Sequence, residues 1–276
     1  LKGCNLRCRW CASPESIAPQ PELLFYPERA DGEVLDYLCP HGAICGHTLN
    51  RAICGNCSDH ACSKLKHSAL EWVGRERSPE DLEQEVLLLA SGWHDFGGVT
   101  FGGGEPTLQA AELLDCMERL KRHRIHTAFE SNATTPEFPR AARCADLAIA
   151  DLKAGTPEVF RNCTGGDLNA VLEHLAEAAA TAPVLLIRVP VITGMNDDPE
   201  ELARMAEHLA KLHRRRLAVR SKPLDVEVLK LHHYGSPKYQ ALNRKYELAG
   251  CPAPSPEILR QFEKTLAVSG ITLQRN

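Results

Sequence analysis

Two absences narrow the possible functions of this sequence. Basic charge is not in excess, because 32 Lys and Arg stand against 36 Asp and Glu and give a net charge of -4, whereas a dedicated nucleic-acid-binding protein usually carries a strong positive balance. Long apolar runs are also missing, since the longest, PVLLIRVPVI, is short and contains Arg188. The sequence therefore predicts neither a nucleic-acid partner nor a membrane-spanning helix.

Cysteine, by contrast, is abundant, but it is not distributed as in a disulfide scaffold. Eight of the 12 cysteines fall between Cys4 and Cys62, in a chain that is neither small nor loop-rich as disulfide-stabilised secreted domains usually are. Such clustering is typical of metal ligation in a reducing compartment, so we predict a cytoplasmic protein. The four cysteines outside this region are predicted to be free thiols, namely Cys116, Cys144, Cys163 and Cys251.

From Ser78 onward, helix-like segments alternate with strand-like segments. This alternation predicts an α/β fold in which parallel strands are joined by right-handed crossovers, as in a barrel or partial barrel. Polar or ionisable residues follow each of the five predicted strands, in the segments GGGEPT, ESN, DLK, RVPVITGMND and HHYG. Because chemistry in such barrels is located at the carboxyl ends of the strands, we expect these segments to meet at one site.

The segment LKGCNLRCRWCASPE places Cys4, Cys8 and Cys11 in a C-x3-C-x2-C spacing with no fourth cysteine close by. A closed structural zinc site needs four ligands, so these residues could be half of such a site. Iron–sulfur clusters are also held by thiolates. Three thiolates on a four-iron cluster would leave one iron open to bind a substrate or cofactor.

This spacing, with Trp10 before the last cysteine, resembles the signature of the radical S-adenosylmethionine (SAM) enzymes, and LKGCNLRCRWC is similar to the activating enzymes of glycyl radical enzymes. The resemblance implies that the three cysteines hold a catalytic [4Fe–4S] cluster whose open iron binds SAM. It also implies a partial (β/α)6 TIM-type barrel formed by residues 1–13 and 77–276. The family's first strand, with its Asp-Gly-Pro-Gly segment, is absent from this sequence, which leads us to expect an N-terminal truncation.

The strand ends resemble the motifs of the same family in turn. Lys153 would neutralise the cofactor carboxylate and take part in catalysis, Asp151 beside it would also contact the partner peptide, and His232, with His233 as its rival, would lie at the adenine. An arginine inside an apolar strand is costly to bury without a partner, which independently favours a functional role for Arg188. The implied cofactor-binding residues are Trp10, Gly103, Gly104, Glu105, Ser131, Asn132, Asp151, Lys153, Arg188 and His232.

Residues 14–76 resemble the ferredoxin-like, Cys-rich insert of some of these activating enzymes. Two segments, CPHGAI and CGNCSDHACSKLKHSAL, look like degraded copies of its C-x2-C-x2-C-x3-C-P runs. We predict one auxiliary [4Fe–4S] cluster in this insert, and a zinc site helped by His47 or His60 is the alternative. The predicted ligands are Cys45, Cys54, Cys57 and Cys62, with Cys39 as a substitute.

The resemblance also implies an activity. An electron from reduced flavodoxin or ferredoxin would cleave SAM, and the resulting 5′-deoxyadenosyl radical would abstract hydrogen from a glycine Cα of a partner glycyl radical enzyme. The activating enzyme itself is predicted to be a monomer. A radical SAM enzyme acting on a small molecule or peptide is the nearest alternative. A zinc-stapled binding module or an electron-transfer iron–sulfur protein would be an alternative of a different class.

Overall fold

The structure is a computed structural model that describes residues 1–30, 34–93, 97–271 and 273–274. Its N-terminal part contains four short strands and one short helix: β1 (Glu22–Phe25), β2 (Ile44–Cys45), β3 (Thr48–Leu49), α1 (Arg51–Gly55) and β4 (Leu70–Val73). The remainder alternates between helices and strands: α2 (Pro79–Ala90), β5 (Gly98–Phe101), α3 (Ala110–Arg122), β6 (His126–Ser131), α4 (Phe138–Cys144), β7 (Leu147–Asp151), α5 (Pro157–Thr164), α6 (Leu168–Thr181), β8 (Leu185–Val191), α7 (Pro199–Arg220), β9 (Asp225–Lys230), α8 (Ser236–Ala241) and α9 (Pro256–Val268).

The centre of the fold is a five-stranded parallel sheet in the order β5-β6-β7-β8-β9. Each strand pairs with the next one in the chain, so every carboxyl end lies at the same edge of the sheet. Beyond β9, Leu273 makes a parallel bridge with Val226. In the C-terminal segment ITLQRN, Thr272, Arg275 and Asn276 lie outside the described part. The predicted α/β fold, a partial barrel, is confirmed.

The helices begin where the sequence places capping residues. Ser78 and Asp81 form a capping box at the start of α2, with Pro79 in the first turn. At the start of α7, the Asp198 carboxylate accepts a hydrogen bond from the Glu200 N–H. Within the described residues, no helix is both long enough and apolar enough to cross a bilayer.

The core lies between this sheet and the helices that cover it. Phe129 of β6 packs on Phe138 of α4 with ring centroids 5.8 Å apart, and both side chains are fully buried. On β7, Ala148 and Ala150 are also fully buried, and their small size leaves room for the covering side chains. Burial of the strand bodies fixes the polar strand ends at the edge of a rigid scaffold.

The segment that carries most of the clustered cysteines is closed by an antiparallel ladder between β1 and β4, in which Glu22 is opposite Val73. It has a small apolar cluster of its own, which includes Phe25, Leu35, Leu38, Ile44 and Ala69. The Arg244 guanidinium attaches this segment to the barrel, because it bonds to the Glu22 carboxylate and donates to the Pro14 carbonyl at 2.8 Å. The boundaries 14–76 stay a prediction.

Candidate active site

A cavity of about 290 Å³ opens at the carboxyl edge of the sheet. It is lined by the N-terminal cysteine loop and by residues at the ends of all five parallel strands. Every predicted residue of the SAM site except Glu105 lines this cavity: Cys4, Cys8, Trp10, Cys11, Gly103, Gly104, Ser131, Asn132, Asp151, Lys153, Arg188 and His232. The strand ends therefore converge as the sequence pattern indicated.

Backbone hydrogen bonds hold the cysteine loop against the sheet. The Cys4 N–H donates to the Ile17 carbonyl at 3.0 Å, and the Glu105 N–H donates to the Gly3 carbonyl at 2.8 Å. A Cβ on Gly104 would lie 2.1 Å from the Gly3 carbonyl oxygen, so only glycine permits this approach. The buried Leu6 side chain anchors the loop in the main core.

The three thiols of the loop form a donor set that fits an iron–sulfur cluster. Burial raises the pKa of Cys8 to about 12, and burial also raises the pKa values of Cys4 and Cys11. A single zinc ion would draw thiolates to about 3.8 Å from one another, given Zn–S bonds of about 2.3 Å in a tetrahedron. Among the described residues, the one trio of candidate ligand atoms within 4.8 Å of one another does not include these cysteines. Their wider spacing suits a multi-iron cluster.

A buried cation faces these thiols. Lys153 is 8 % exposed, and its Nζ donates to Asp151 Oδ2 at 2.5 Å. Burial alone would lower the pKa of Lys153, but the negative charge of Asp151 and the hydrogen bond to it outweigh burial and hold that pKa above its usual value. The lysine is therefore cationic at neutral pH, as binding of a carboxylate requires.

Glu105 lies behind the wall of the cavity. Its carboxylate is fully buried and accepts hydrogen bonds from Ser131 Oγ and the Asn132 N–H, both at 2.7 Å, and from the Thr107 N–H at 3.1 Å. Burial raises the pKa of Glu105, and these hydrogen bonds oppose the rise. The cofactor-binding role implied for Glu105 stays a prediction, whereas the described contacts give this residue a positioning role for the end of β6.

Glu105→Gln is expected to lower the free energy of unfolding by about 1–3 kcal/mol, because the amide NH₂ would face donors that now bond to a carboxylate. Chemical denaturation at neutral pH measures the change. Glu118→Gln is the matched control, since that side chain is 71 % exposed and its loss should change stability by less than about 0.5 kcal/mol. Equal effects of the two substitutions would contradict the positioning role.

Arg188 is paired, as an arginine in an apolar strand must be. Its guanidinium donates to Glu130 of β6 at 2.6 Å and to Glu227 of β9 at 2.7 Å, and these bonds keep its pKa above the usual value despite burial. Glu130 also lines the cavity. The sequence interpretation missed both acids. Strands HTAFES and DVEVLK contain other polar residues, so neither acid stands out as Arg188 does in LLIRVPV.

The two histidines after β9 have different environments. His232 lines the cavity and stacks on Tyr234 with ring centroids 4.5 Å apart, whereas the His233 Nε2 bonds to the Cys251 carbonyl at 2.9 Å. This placement favours His232 over His233 for the adenine.

Asn196 has a structural role. Its buried amide donates to the Lys153 and Pro190 carbonyls and joins the ends of β7 and β8.

All 12 cysteines are free thiols, including the four outside the clustered region, as predicted. Of the predicted insert ligands, Cys62 is buried, Cys54 and Cys57 are partly buried and Cys45 is exposed. The substitute ligand Cys39 is partly buried. His47, one of the two histidines considered for a zinc site, is exposed.

Comparison with known proteins gives the same answer as the geometry. A family model described as the Radical SAM superfamily matches residues 1–206. The chain is 28% identical over 285 residues to the 4-hydroxyphenylacetate decarboxylase activating enzyme of Clostridioides difficile, with 98% of this chain and 87% of that protein aligned. It is 32% identical over 265 residues to the isethionate sulfite-lyase activating enzyme of Desulfovibrio desulfuricans, with coverage of 89% and 80%.

A solved structure supports the same relationship. The crystal structure of a domain of pyruvate-formate lyase-activating enzyme from Bacteroides vulgatus matches with a TM-score of 0.50 and 25% identity, over 64% of this chain and 98% of that chain. The geometry of the cavity, the match to the family model and the named relatives all agree with the resemblance of the cysteine loop to the radical SAM enzymes. This chain belongs to the radical SAM superfamily, among the activating enzymes of glycyl radical enzymes.

Proposed function

We propose that this chain installs a radical on a glycine Cα of a partner glycyl radical enzyme, using the cavity at the carboxyl edge of the sheet. The observation that carries the proposal is the convergence of three thiols, a buried lysine cation and polar strand ends on one cavity. When bound there, a reduced [4Fe–4S] cluster supplies the electron that cleaves SAM to methionine and a deoxyadenosyl radical.

The residues of the chain bind and orient these groups. Cys4, Cys8 and Cys11 would ligate the cluster and leave one iron without a protein ligand. Lys153 would hold the SAM carboxylate by a charge-assisted hydrogen bond. Gly103 and Gly104 line the cavity, and their backbone groups would contact the cofactor at the end of β5. A Cβ on either residue would meet the backbone of Leu1 or Gly3, so the glycines also let the cysteine loop lie close to this strand end.

The opposite end of the cofactor would lie against the later strands. Ser131 and Asn132, which Glu105 fixes in place, would bind the ribose hydroxyls. Arg188 is oriented by its two carboxylate partners, and we assign it and His232 to the adenosine half of the cofactor. Ordered side chains on rigid strand ends would hold the cofactor in one orientation and limit the entry of water.

We propose a partner enzyme of the kind named by the relatives, which activate a decarboxylase and a sulfite-lyase. The partner would insert a glycine-bearing loop at the open side of the partial barrel. A flavodoxin or ferredoxin as electron donor, an auxiliary [4Fe–4S] cluster in the insert, a monomeric state and a cytoplasmic location stay predictions from the sequence.

The test is radical formation on a partner. The anaerobically reconstituted chain, SAM, a reductant and a glycyl radical enzyme encoded beside its gene are expected to produce a glycyl radical, detected by electron paramagnetic resonance. A partner variant with alanine in place of the radical glycine is the control and should give no such signal. SAM cleavage with a peptide or small molecule but no radical on the partner would contradict the proposal and favour the other radical SAM enzymes.

A further inference from the structure

We propose that the insert binds a single [4Fe–4S] cluster through Cys39, Cys54, Cys57 and Cys62, and that Cys45 is not a ligand. This inference rests on the proposed function, because it deepens the auxiliary site of the same enzyme. It differs from the ligand set that the sequence predicts, in which Cys45 takes the place of Cys39. Six features of the insert support it.

A path of hydrogen bonds joins Cys39 to the helix that carries Cys54. The Ala43 N–H donates to Cys39 Sγ at 3.4 Å, and the Asn50 N–H donates to the Ala43 carbonyl at 2.7 Å. The Cys54 N–H then donates to the Asn50 carbonyl at 3.0 Å. Cys39 is therefore fixed relative to α1 although 15 positions separate the two cysteines in the sequence.

A second contact ties the Cys39 loop to the Cys57 loop. His41 Nε2 lies 2.9 Å from Asp59 Oδ1, and Cys57 Sγ donates to the same carboxylate oxygen at 3.1 Å. The Cys57 N–H also donates to the Cys54 carbonyl at 3.2 Å, which fixes these two cysteines relative to each other.

The Cys45 side chain points away from the apolar cluster that Cys39 contacts. It is the second residue of β2, and its neighbour Ile44 is buried in the apolar cluster that Cys39 also contacts. Adjacent residues of a strand point to opposite faces, so Cys45 points outward. It is exposed, whereas Cys39, Cys54 and Cys57 are partly buried and Cys62 is buried.

Two buried nitrogen atoms lie at the Cys62 end of this group. Trp72 Nε1 and His60 Nδ1 are buried and have no hydrogen-bond partner of normal length within the described residues. Their rings pack edge to face with centroids 4.9 Å apart. Strand β4, which carries Trp72, packs against the turn Ala61–Lys64, which carries Cys62, so the unpaired indole N–H is a donor that a sulfur ligand there would satisfy.

The spacing of the thiols favours a cluster over a single zinc ion. Tetrahedral zinc would bring its sulfur ligands to about 3.8 Å from one another. In the described part of the chain, the ligand atoms that meet within 4.8 Å of one another are those of His41, Cys57 and Asp59, a set that contains one thiol only. No three of the four insert sulfur atoms therefore lie within 4.8 Å of one another, so these thiols do not close around a single zinc ion in the described structure.

The pattern of lost cysteines agrees with this assignment. In ferredoxins with two such runs, the fourth cysteine of one run, which precedes proline, ligates the cluster held by the other run. Cys39 precedes Pro40 and so would join Cys54 and Cys57. The third position of the second run holds His60, and Cys62, two residues further on, would supply the missing thiolate. The sequence positions that would ligate the other cluster all hold other residues, namely Arg29, Gly32, Leu35 and Lys64, so this chain has lost one cluster completely and kept the other.

The experiment compares Cys39→Ala with Cys45→Ala in the reconstituted protein, each made in the wild-type and in the Cys8→Ala background. Cys39→Ala is expected to remove about four iron atoms and four sulfides per chain in both backgrounds, because one cluster is lost. Cys45→Ala is expected to leave both contents unchanged. Native alkylation of the wild-type protein adds a measurement that needs no variant: the cluster should protect Cys39 from iodoacetamide but leave Cys45 reactive, and chelation of iron should expose Cys39.

The opposite pattern, with iron lost on Cys45→Ala alone, would overturn the assignment. The assignment would also be overturned if the protein bound one zinc ion per chain and His41→Ala removed it. It would be overturned as well if iodoacetamide reacted equally with Cys39 in the presence and in the absence of iron. These outcomes can be distinguished from a failure of the proposed function. If the wild-type chain formed no glycyl radical, the loss of iron on Cys39→Ala in the Cys8→Ala background would still establish the insert cluster.

Discussion

Cys8→Ala is expected to abolish SAM cleavage while the barrel stays folded. The loss should exceed about 100-fold, since even the removal of a group that only contacts a metal ligand costs 10–100-fold in affinity or activity. Cys8 lies between the other two cysteines of the loop, and its thiol faces both the cavity and Lys153. The measurement is 5′-deoxyadenosine formed by the anaerobically reconstituted, dithionite-reduced protein, with circular dichroism as the check on folding.

Cys144→Ala is the matched control for this loss. Cys144 is an exposed thiol at the end of α4, so its removal tests the same change of side chain away from the cavity. The control should produce deoxyadenosine at the wild-type rate. Deoxyadenosine production by Cys8→Ala at that rate would remove the cysteine loop from the mechanism.

Lys153→Met is expected to raise the KM for SAM about 10- to 100-fold, because a charge-assisted hydrogen bond to the cofactor carboxylate contributes about 1.5–3 kcal/mol. The substitution also leaves Asp151 without its cation. The free energy of unfolding should therefore fall by about 2–3 kcal/mol, less than the 3–5 kcal/mol of a fully buried pair, since the Asp151 side chain is 30% exposed. Initial rates of SAM cleavage and denaturant unfolding measure the two effects.

The double variant Asp151→Asn, Lys153→Met separates the two roles of the lysine. It removes the unpaired carboxylate, so the free energy of unfolding should recover most of its loss. Binding of SAM should stay weak, because the cation for its carboxylate is still missing. If the double variant recovered both stability and KM, Lys153 would be a structural residue only.

The sequence predicts the sheet and the cavity well because both follow from local patterns. The segments ESN, DLK and RVPVITGMND sit at strand ends, and parallel strands bring such ends together. The predicted lining residue Glu105 shows the limit of this reasoning. Its motif was recognised, but the sequence does not reveal that the Ser131 hydroxyl and the Asn132 N–H donate hydrogen bonds to its carboxylate.

The insert is the part that sequence patterns predict least well. It has little periodicity, so the sequence does not say which cysteines face each other. The ladder between β1 and β4, which closes the insert, is long-range. Within the insert, irregular contacts of Ala43 with Asn50 and Cys39, which no periodic pattern announces, decide that Cys39, rather than Cys45, lies on the inner side. The pairing of Arg188 with Glu130 is similar, because it joins strands that are not neighbours in the sheet.

The bonds of Arg244 have a consequence for the way this enzyme can be altered. One guanidinium holds the Pro14 carbonyl, three residues after Cys11, and the Glu22 carboxylate of β1. The cysteine-rich segment is therefore not a detachable module. Joining the barrel across a deletion of that segment would remove a support of the loop that carries Cys4, Cys8 and Cys11.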